Sequence, residues 1–282
     1  MSANLSAAKL VSYTRMEGAG STPVVLGHGF GSDKTVWDGL LRCLPRDLCY
    51  IRYDLAGFGS PEDTAARYDP ERHESLFAYA DDLMQLLDAL PHVREDLRGQ
   101  PVVYIGHSVS AMIGVIAAIA QPQRFRELVL IGASPYYLRT PDYPGGLTQG
   151  DLDQLFMAMA TNYQAWAAGF APDLFGIDDA ALLADFSQSL FRLPPDIALR
   201  TLRTIFASDW REFVGRVRVP VHLIQSREDF VVPREVSFWL QAHIPGSTLD
   251  WIDVRGHLPH LTRPAEVCAA LRPYLPQGRP PA

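Results

Sequence analysis

Ser108 lies in the run Val102-Val-Tyr-Ile-Gly-His-Ser-Val-Ser-Ala-Met-Ile-Gly114, between an apolar stretch of strand type and an apolar stretch of helix type. A sharp strand-to-helix turn strains its central residue and exposes that side chain, while small residues two before and two after let strand and helix approach each other. Gly106 fills the first of these places; Ser110, where glycine is usual, fills the second. A serine hydroxyl is a weak nucleophile at neutral pH, so it needs a base, and the base needs a carboxylate to fix its tautomer and stabilise its cation. In this architecture the chain order is serine, acid, histidine. Asp229, in SREDFVVP, follows the apolar run Val221 to Gln225, and His257, in RGHLPH, follows the run Thr248 to Asp253. The three candidates therefore come in the required order at strand ends. Glu228 and Asp253 are alternative acids and His260 an alternative base, with Asp229 better placed in its loop.

Acyl transfer also needs hydrogen-bond donors aimed at the developing oxyanion. The loop LGHGFG at positions 26–31 follows a strand directly, so the backbone N–H of Phe30 is one expected donor and that of Val109 the other. His28 reads as a residue that ties this loop down. The same glycines, with Asp54 ending the next strand, also suggest a dinucleotide-binding fingerprint, but the spacing fails. A GxGxxG motif starting at Gly27 requires glycine where Ser32 stands.

Placing these residues requires a particular set of elements. From Pro23 to Leu130, short apolar runs alternate with longer amphipathic ones, as in parallel strands joined by crossover helices. Strands are expected at Pro23–Leu26, Cys49–Tyr53, Val102–Ile105 and Leu128–Ile131, and helices at Leu76–Leu90 and Ala111–Ala120, with an amphipathic segment from about Lys34 to Leu44. Continuous apolar strands imply a parallel sheet covered on both faces. The alternation stops between Pro135 and about Asp209, where the chain turns helix-like and aromatic, and resumes with strands at Val221–Gln225 and Thr248–Asp253 and helices near Val236–His243 and Glu266–Leu275. This predicts an α/β core in two parts, 1–134 and 210–275, split by a helical cap at 135–209, with a disordered tail at 276–282.

The 282 residues are 48% hydrophobic and 20% charged, the balance of a folded globular chain. With 25 basic against 32 acidic residues the net charge is −7, so no basic surface is available for nucleic acid. Cys43, Cys49 and Cys268 form no CxxC pair and lie far from any histidine at ligand spacing, which suggests neither disulfide framework nor metal site. The first residues lack a signal-peptide core and no run is long enough to span a bilayer, so a cytoplasmic protein without membrane attachment is expected. No cofactor is expected either.

GHGFGSDKTVW, YDLAGFGS, GHSVSAMIG, LIGASPYYL, NYQAWAAGFAP and GHLPHL together resemble the α/β-hydrolase superfamily, from about Leu10 to Leu275. They are most similar to the branch containing the bacterial stress-regulatory hydrolase RsbQ and the plant strigolactone and karrikin receptors. The resemblance implies an α/β-hydrolase core whose four lid helices cover an apolar pocket over the serine. It implies that Phe30, Tyr137, Trp166, Phe170 and Phe206 line that pocket, and it makes Ser110 a feature of the branch. TAARYDPERHESL and HVREDLRGQ depart from a minimal pattern of the branch by being longer or more charged. A small apolar ester, lactone or enol ether is the implied substrate. The alternatives are a slow hydrolase-type signal receptor with a ligand-dependent regulatory protein partner, or a cofactor-free haloperoxidase or C–C bond hydrolase. Dehalogenase and epoxide hydrolase chemistry of the usual kind needs a carboxylate where Ser108 stands.

Overall fold

The computed structural model describes residues 13–276. Most of the expected tail at 276–282, and the residues before Tyr13, lie outside them. One mixed sheet organises the chain. Its strands are β1 (Thr14–Glu17), β2 (Pro23–Gly27), β3 (Cys49–Tyr53), β4 (Val102–His107), β5 (Phe125–Ile131), β8 (Val221–Glu228) and β9 (Thr248–Arg255), with the short hairpin β6 (Arg139–Thr140) and β7 (Tyr143–Pro144) standing apart. The order across the sheet is β1-β3-β2-β4-β5-β8-β9. β1 pairs antiparallel with β3, and every other pairing in this sheet is parallel.

β2, β3 and β4 are buried at every residue. Successive strand side chains point to opposite faces, and the core divides accordingly. Val25, Ile51, Tyr104, Leu128 and Leu130 pack on one face, and Val24, Leu26, Tyr50, Val103, Ile105 and Val129 on the other. Burial on both faces is what makes the strands read as unbroken apolar runs. The helices between them are α1 (Asp38–Leu41), α2 (Pro61–Arg67), α3 (Leu76–Val93) and α4 (Val109–Ala120). The amphipathic segment expected at Lys34 to Leu44 is a 3₁₀ turn, Lys34–Trp37, followed by the single turn of α1. β1 and α2 were not expected. The four residues of β1 are only partly buried and carry no apolar run, and α2 rests on its Ser60 cap and the proline at its first turn rather than on periodicity.

Between β5 and β8 come four helices, α5 (Gln149–Thr161), α6 (Tyr163–Phe175), α7 (Ala180–Arg192) and α8 (Pro195–Ala207). Thr148 and Asp151 form a capping box at the start of α5, and the Asn162 and Asp179 side chains accept from the first turns of α6 and α7. The ends of this segment meet, because the Trp210 N–H donates to the Pro135 carbonyl at 2.9 Å. α9 (Arg234–His243), α10 (Pro259–Thr262) and α11 (Pro264–Leu271) complete the chain.

Candidate active site

β4 ends at His107 and α4 begins at Val109, leaving Ser108 alone to make the turn. Its backbone stands at φ 55° and ψ −121°, and among the described residues it is the only non-glycine with positive φ. An L-residue adopts this region only where the surroundings over-determine it. The Ser108 N–H donates to the Ile131 carbonyl of β5 at 2.9 Å, which fixes the turn to the sheet. A Cβ on Gly106 would lie 2.6 Å from the Ser110 carbonyl, so only glycine allows strand and helix this close. Ser110 is fully buried and its hydroxyl donates to the His28 carbonyl at 2.5 Å. In the second small place the hydroxyl thus does what glycine cannot, joining the turn to the loop after β2.

The Ser108 hydroxyl faces the His257 ring, with Oγ 2.9 Å from Nε2. On the other side of that ring, Nδ1 lies 2.7 Å from Asp229 Oδ2. Asp229 follows β8 directly, since the strand runs to Glu228 rather than stopping at Gln225. Its Oδ1 accepts from the N–H groups of Val231 and Val232, and its Oδ2 also accepts from Gln225 Nε2 at 3.1 Å. The carboxylate is therefore buried, but its oxygens are hydrogen-bonded on every side that faces the protein and one of them is held toward the imidazole. The alternative acids face elsewhere. Glu228 pairs with Arg255, and Asp253 is exposed beside Arg227. His260 is fully buried, and burial above all pushes its pKa down to about 3. Neither of its ring nitrogens has a partner among the described residues, so it is no base for Ser108.

The loop carrying Phe30 is fastened at several points. His28 is buried and neutral, because burial lowers its pKa. Its Nε2 accepts from the Leu55 N–H at 3.0 Å and its Nδ1 donates to the Gly29 carbonyl at 2.8 Å. Asp54, which a dinucleotide site would turn to a ribose, instead accepts from both the backbone and the ammonium of Lys34. Phe30 lines one cavity with Ser108, and Val109 follows Ser108 at the first residue of α4.

Above Ser108 is a cavity of about 40 Å³, enough for a few water molecules. Phe30, Tyr137, Phe170 and Phe206 line it, together with His107, Leu174, Leu202, Ile205, Val231, His257 and Leu258. Trp166 does not reach it. That ring stacks behind Phe170 with centroids 4.9 Å apart, so the expected pocket wall is a support for the wall. Leu202, Ile205 and Phe206 share one stripe of α8, and Val231 and Leu258 adjoin Asp229 and His257 in sequence. Their spacing was the available signal for them. The Tyr137 hydroxyl lies 3.5 Å from Ser108 Oγ. Burial pushes its pKa up to about 12, so it is a neutral phenol at ordinary pH.

The insertion also reaches the histidine. The His257 N–H donates to the Leu174 carbonyl at the end of α6, at 2.7 Å. Gly256, at φ +101°, packs so closely that a Cβ there would stand 2.2 Å from the Phe175 carbonyl. Among the described residues no group of three or more histidine, cysteine or acidic side chains could hold a metal ion, and no helix is long and apolar enough to cross a membrane.

A family model described as the alpha/beta hydrolase family matches residues 24–270. Strigolactone esterase RMS3 of Pisum sativum is 42% identical over 265 residues, covering 93% of this chain and 96% of that protein. Karrikin insensitive 2 receptor CA of Petunia hybrida is 44% identical over 256 residues, covering 90% and 92%. Among solved structures, a hydrolase from Oleispira antarctica superposes with a TM-score of 0.88 at 30% identity, covering 96% of this chain and 97% of that one.

Proposed function

The chain belongs to the α/β-hydrolase family, and on that premise we propose that it is a serine hydrolase in which Ser108, His257 and Asp229 form the catalytic triad. One observation carries the reading: the continuous hydrogen-bonded line from Ser108 Oγ through His257 to Asp229, at 2.9 and 2.7 Å, opening onto an apolar cavity. His257 Nε2 takes the hydroxyl proton as Oγ attacks the substrate carbonyl, and Asp229 stabilises the imidazolium. The N–H groups of Phe30 and Val109 receive the oxyanion. The imidazolium then returns its proton to the leaving oxygen; water, deprotonated by the same ring, attacks the acyl carbon, and the Ser108 Oγ–acyl bond breaks as the ring hands that proton back to Oγ.

A small, largely apolar ester, lactone or enol ether suits this site. Burying a charge without a partner costs several kcal/mol, whereas apolar groups gain roughly 0.8 kcal/mol per methylene. A cavity of about 40 Å³ limits what fits without rearrangement of α6 and α8. Ser108→Ala abolishes hydrolysis of a p-nitrophenyl ester and labelling by a fluorophosphonate. Labelling that persists at another residue overturns the assignment.

A second reading, a hydrolase-type signal receptor, is favoured by the relative named as a karrikin receptor and by the bond from the insertion to His257. Turnover separates the two. A metabolic esterase turns over quickly and needs no partner. A receptor turns over slowly, shifts its thermal stability with ligand, and captures a protein from lysate only in the ligand's presence.

A further inference from the structure

His107 precedes the nucleophile, yet its ring takes no part in the proton transfers above. It is buried, with its ring centroid 5.0 Å from that of His257 and 4.3 Å from that of His260, and His260 packs in turn against Trp37 at 4.4 Å. Burial first, then the neighbouring His260 and His257, push its pKa well below the ordinary histidine value. A neutral imidazole carries a hydrogen on only one of its two nitrogens. His107 Nε2 lies 2.8 Å from the backbone carbonyl of His257, which can only accept, so that hydrogen sits on Nε2. Nδ1 is left without a partner among the described residues.

This bond joins the two catalytic segments directly. In the sheet, β4 and β9 are separated by β5 and β8, three interstrand spacings or about 14 Å. A small change in sheet twist would therefore accumulate between the serine and its base. The His257 backbone has two tethers, its N–H to Leu174 in the insertion and its carbonyl to His107. Only the second leads to the strand that carries Ser108.

We propose that His107 is a positioning residue that holds the His257 backbone, and through it the base nitrogen, at reacting distance from Ser108. The inference rests on the reading of Ser108 and His257 as nucleophile and base.

The test compares His107→Gln with His107→Asn. The glutamine amide nitrogen reaches about as far as the histidine Nε2, and the asparagine nitrogen only as far as Nδ1. Expected is a fluorophosphonate labelling rate and a p-nitrophenyl acetate kcat within about threefold of the unaltered protein for glutamine. For asparagine both fall by about ten- to a hundredfold, the range an ångström of misplacement produces, and KM is little changed. Equal losses in the two variants, or no loss in asparagine, overturn the proposal. Long-range ¹⁵N NMR of the unaltered protein decides it without any variant, because the bond demands an Nε2-protonated His107 at neutral pH and an Nδ1-protonated ring rules it out. If Ser108→Ala is still labelled, the catalytic reading itself fails. If labelling is lost there while the two His107 variants behave alike, only the positioning role fails.

Discussion

Ser108 is strained, and its hydroxyl has two neighbours, His257 Nε2 and the phenol of Tyr137. With Asp229 bound to Nδ1, the imidazole is held in the tautomer that presents a lone pair to the serine. Asp229→Asn should keep the hydrogen-bonded shape but favour the wrong tautomer, lowering kcat by up to about 10⁴ while substrate binding changes little. Steady-state kinetics on a soluble ester checks this, and a loss confined to KM would contradict it. The two aromatic residues at i and i+4 on α6 should separate in the same assay. Phe170→Ala opens the cavity and moves the acyl-length optimum upward, each extra buried methylene being worth about 0.8 kcal/mol. Trp166→Ala removes only the ring stacked behind it, leaving length preference in place and costing about 1–3 kcal/mol of stability. A shifted optimum in Trp166→Ala would return that ring to the pocket wall. At this scale Ser108, Asp229 and His257 could be named as candidates from the sequence, because the proposed chemistry calls for those residue types at strand ends, and their side chains meet in the structure. The family resemblance put Trp166 and Phe170 at the pocket but said nothing of which ring lies in front.

The parallel strands and α3 and α4 were readable as elements, since double burial and a 3.6-residue stripe leave plain patterns in sequence. β1 left none, because an edge strand of TRME is stabilised by its ladder with β3 rather than by apolar side chains. The contact of α6 with the loop after β9 was equally hidden. It depends on backbone groups, the Leu174 and Phe175 carbonyls against His257 and Gly256, and backbone groups have no residue signature. Gly256→Ala tests it. The added methyl group meets the Phe175 carbonyl and the backbone is held at φ +101°, a region that L-residues rarely adopt. The variant should lose about 1–3 kcal/mol in urea unfolding, and the folded molecules should show a lower kcat as His257 moves. Normal kcat in the folded fraction would mean that the loop places His257 without the helix.

Taken whole, the protein carries His28, His107 and His260 buried, each with its pKa lowered by burial first. In the unfolded chain all three take up protons near pH 6.5. Below that pH the unfolded state binds protons that the native state resists, so stability present at pH 7.5 declines toward pH 5, by up to about 1.4 kcal/mol per pH unit for a group such as His260 that stays neutral in the native protein. His260→Leu, which breaks no side-chain hydrogen bond among the described residues, should make that decline shallower between pH 6 and 5 in urea titrations. An unchanged slope would show that His260 is protonated in the native protein. A break in alternation from Pro135 to about Asp209 was readable in the sequence, whereas the bond between Pro135 and Trp210, a single backbone contact, was not. That junction makes the intervening helices a cassette. A segment of another length or composition can be grafted between β5 and β8 without moving either strand, which leaves substrate choice free to diverge while the sheet stays as it is. The graft is constrained where the insertion holds the core, since any replacement must return a carbonyl to the place of Leu174, where His257 expects one, and must also supply partners for the Gly31 carbonyl, Asp33 and the His73 carbonyl in place of Ser189, Arg192 and Thr204.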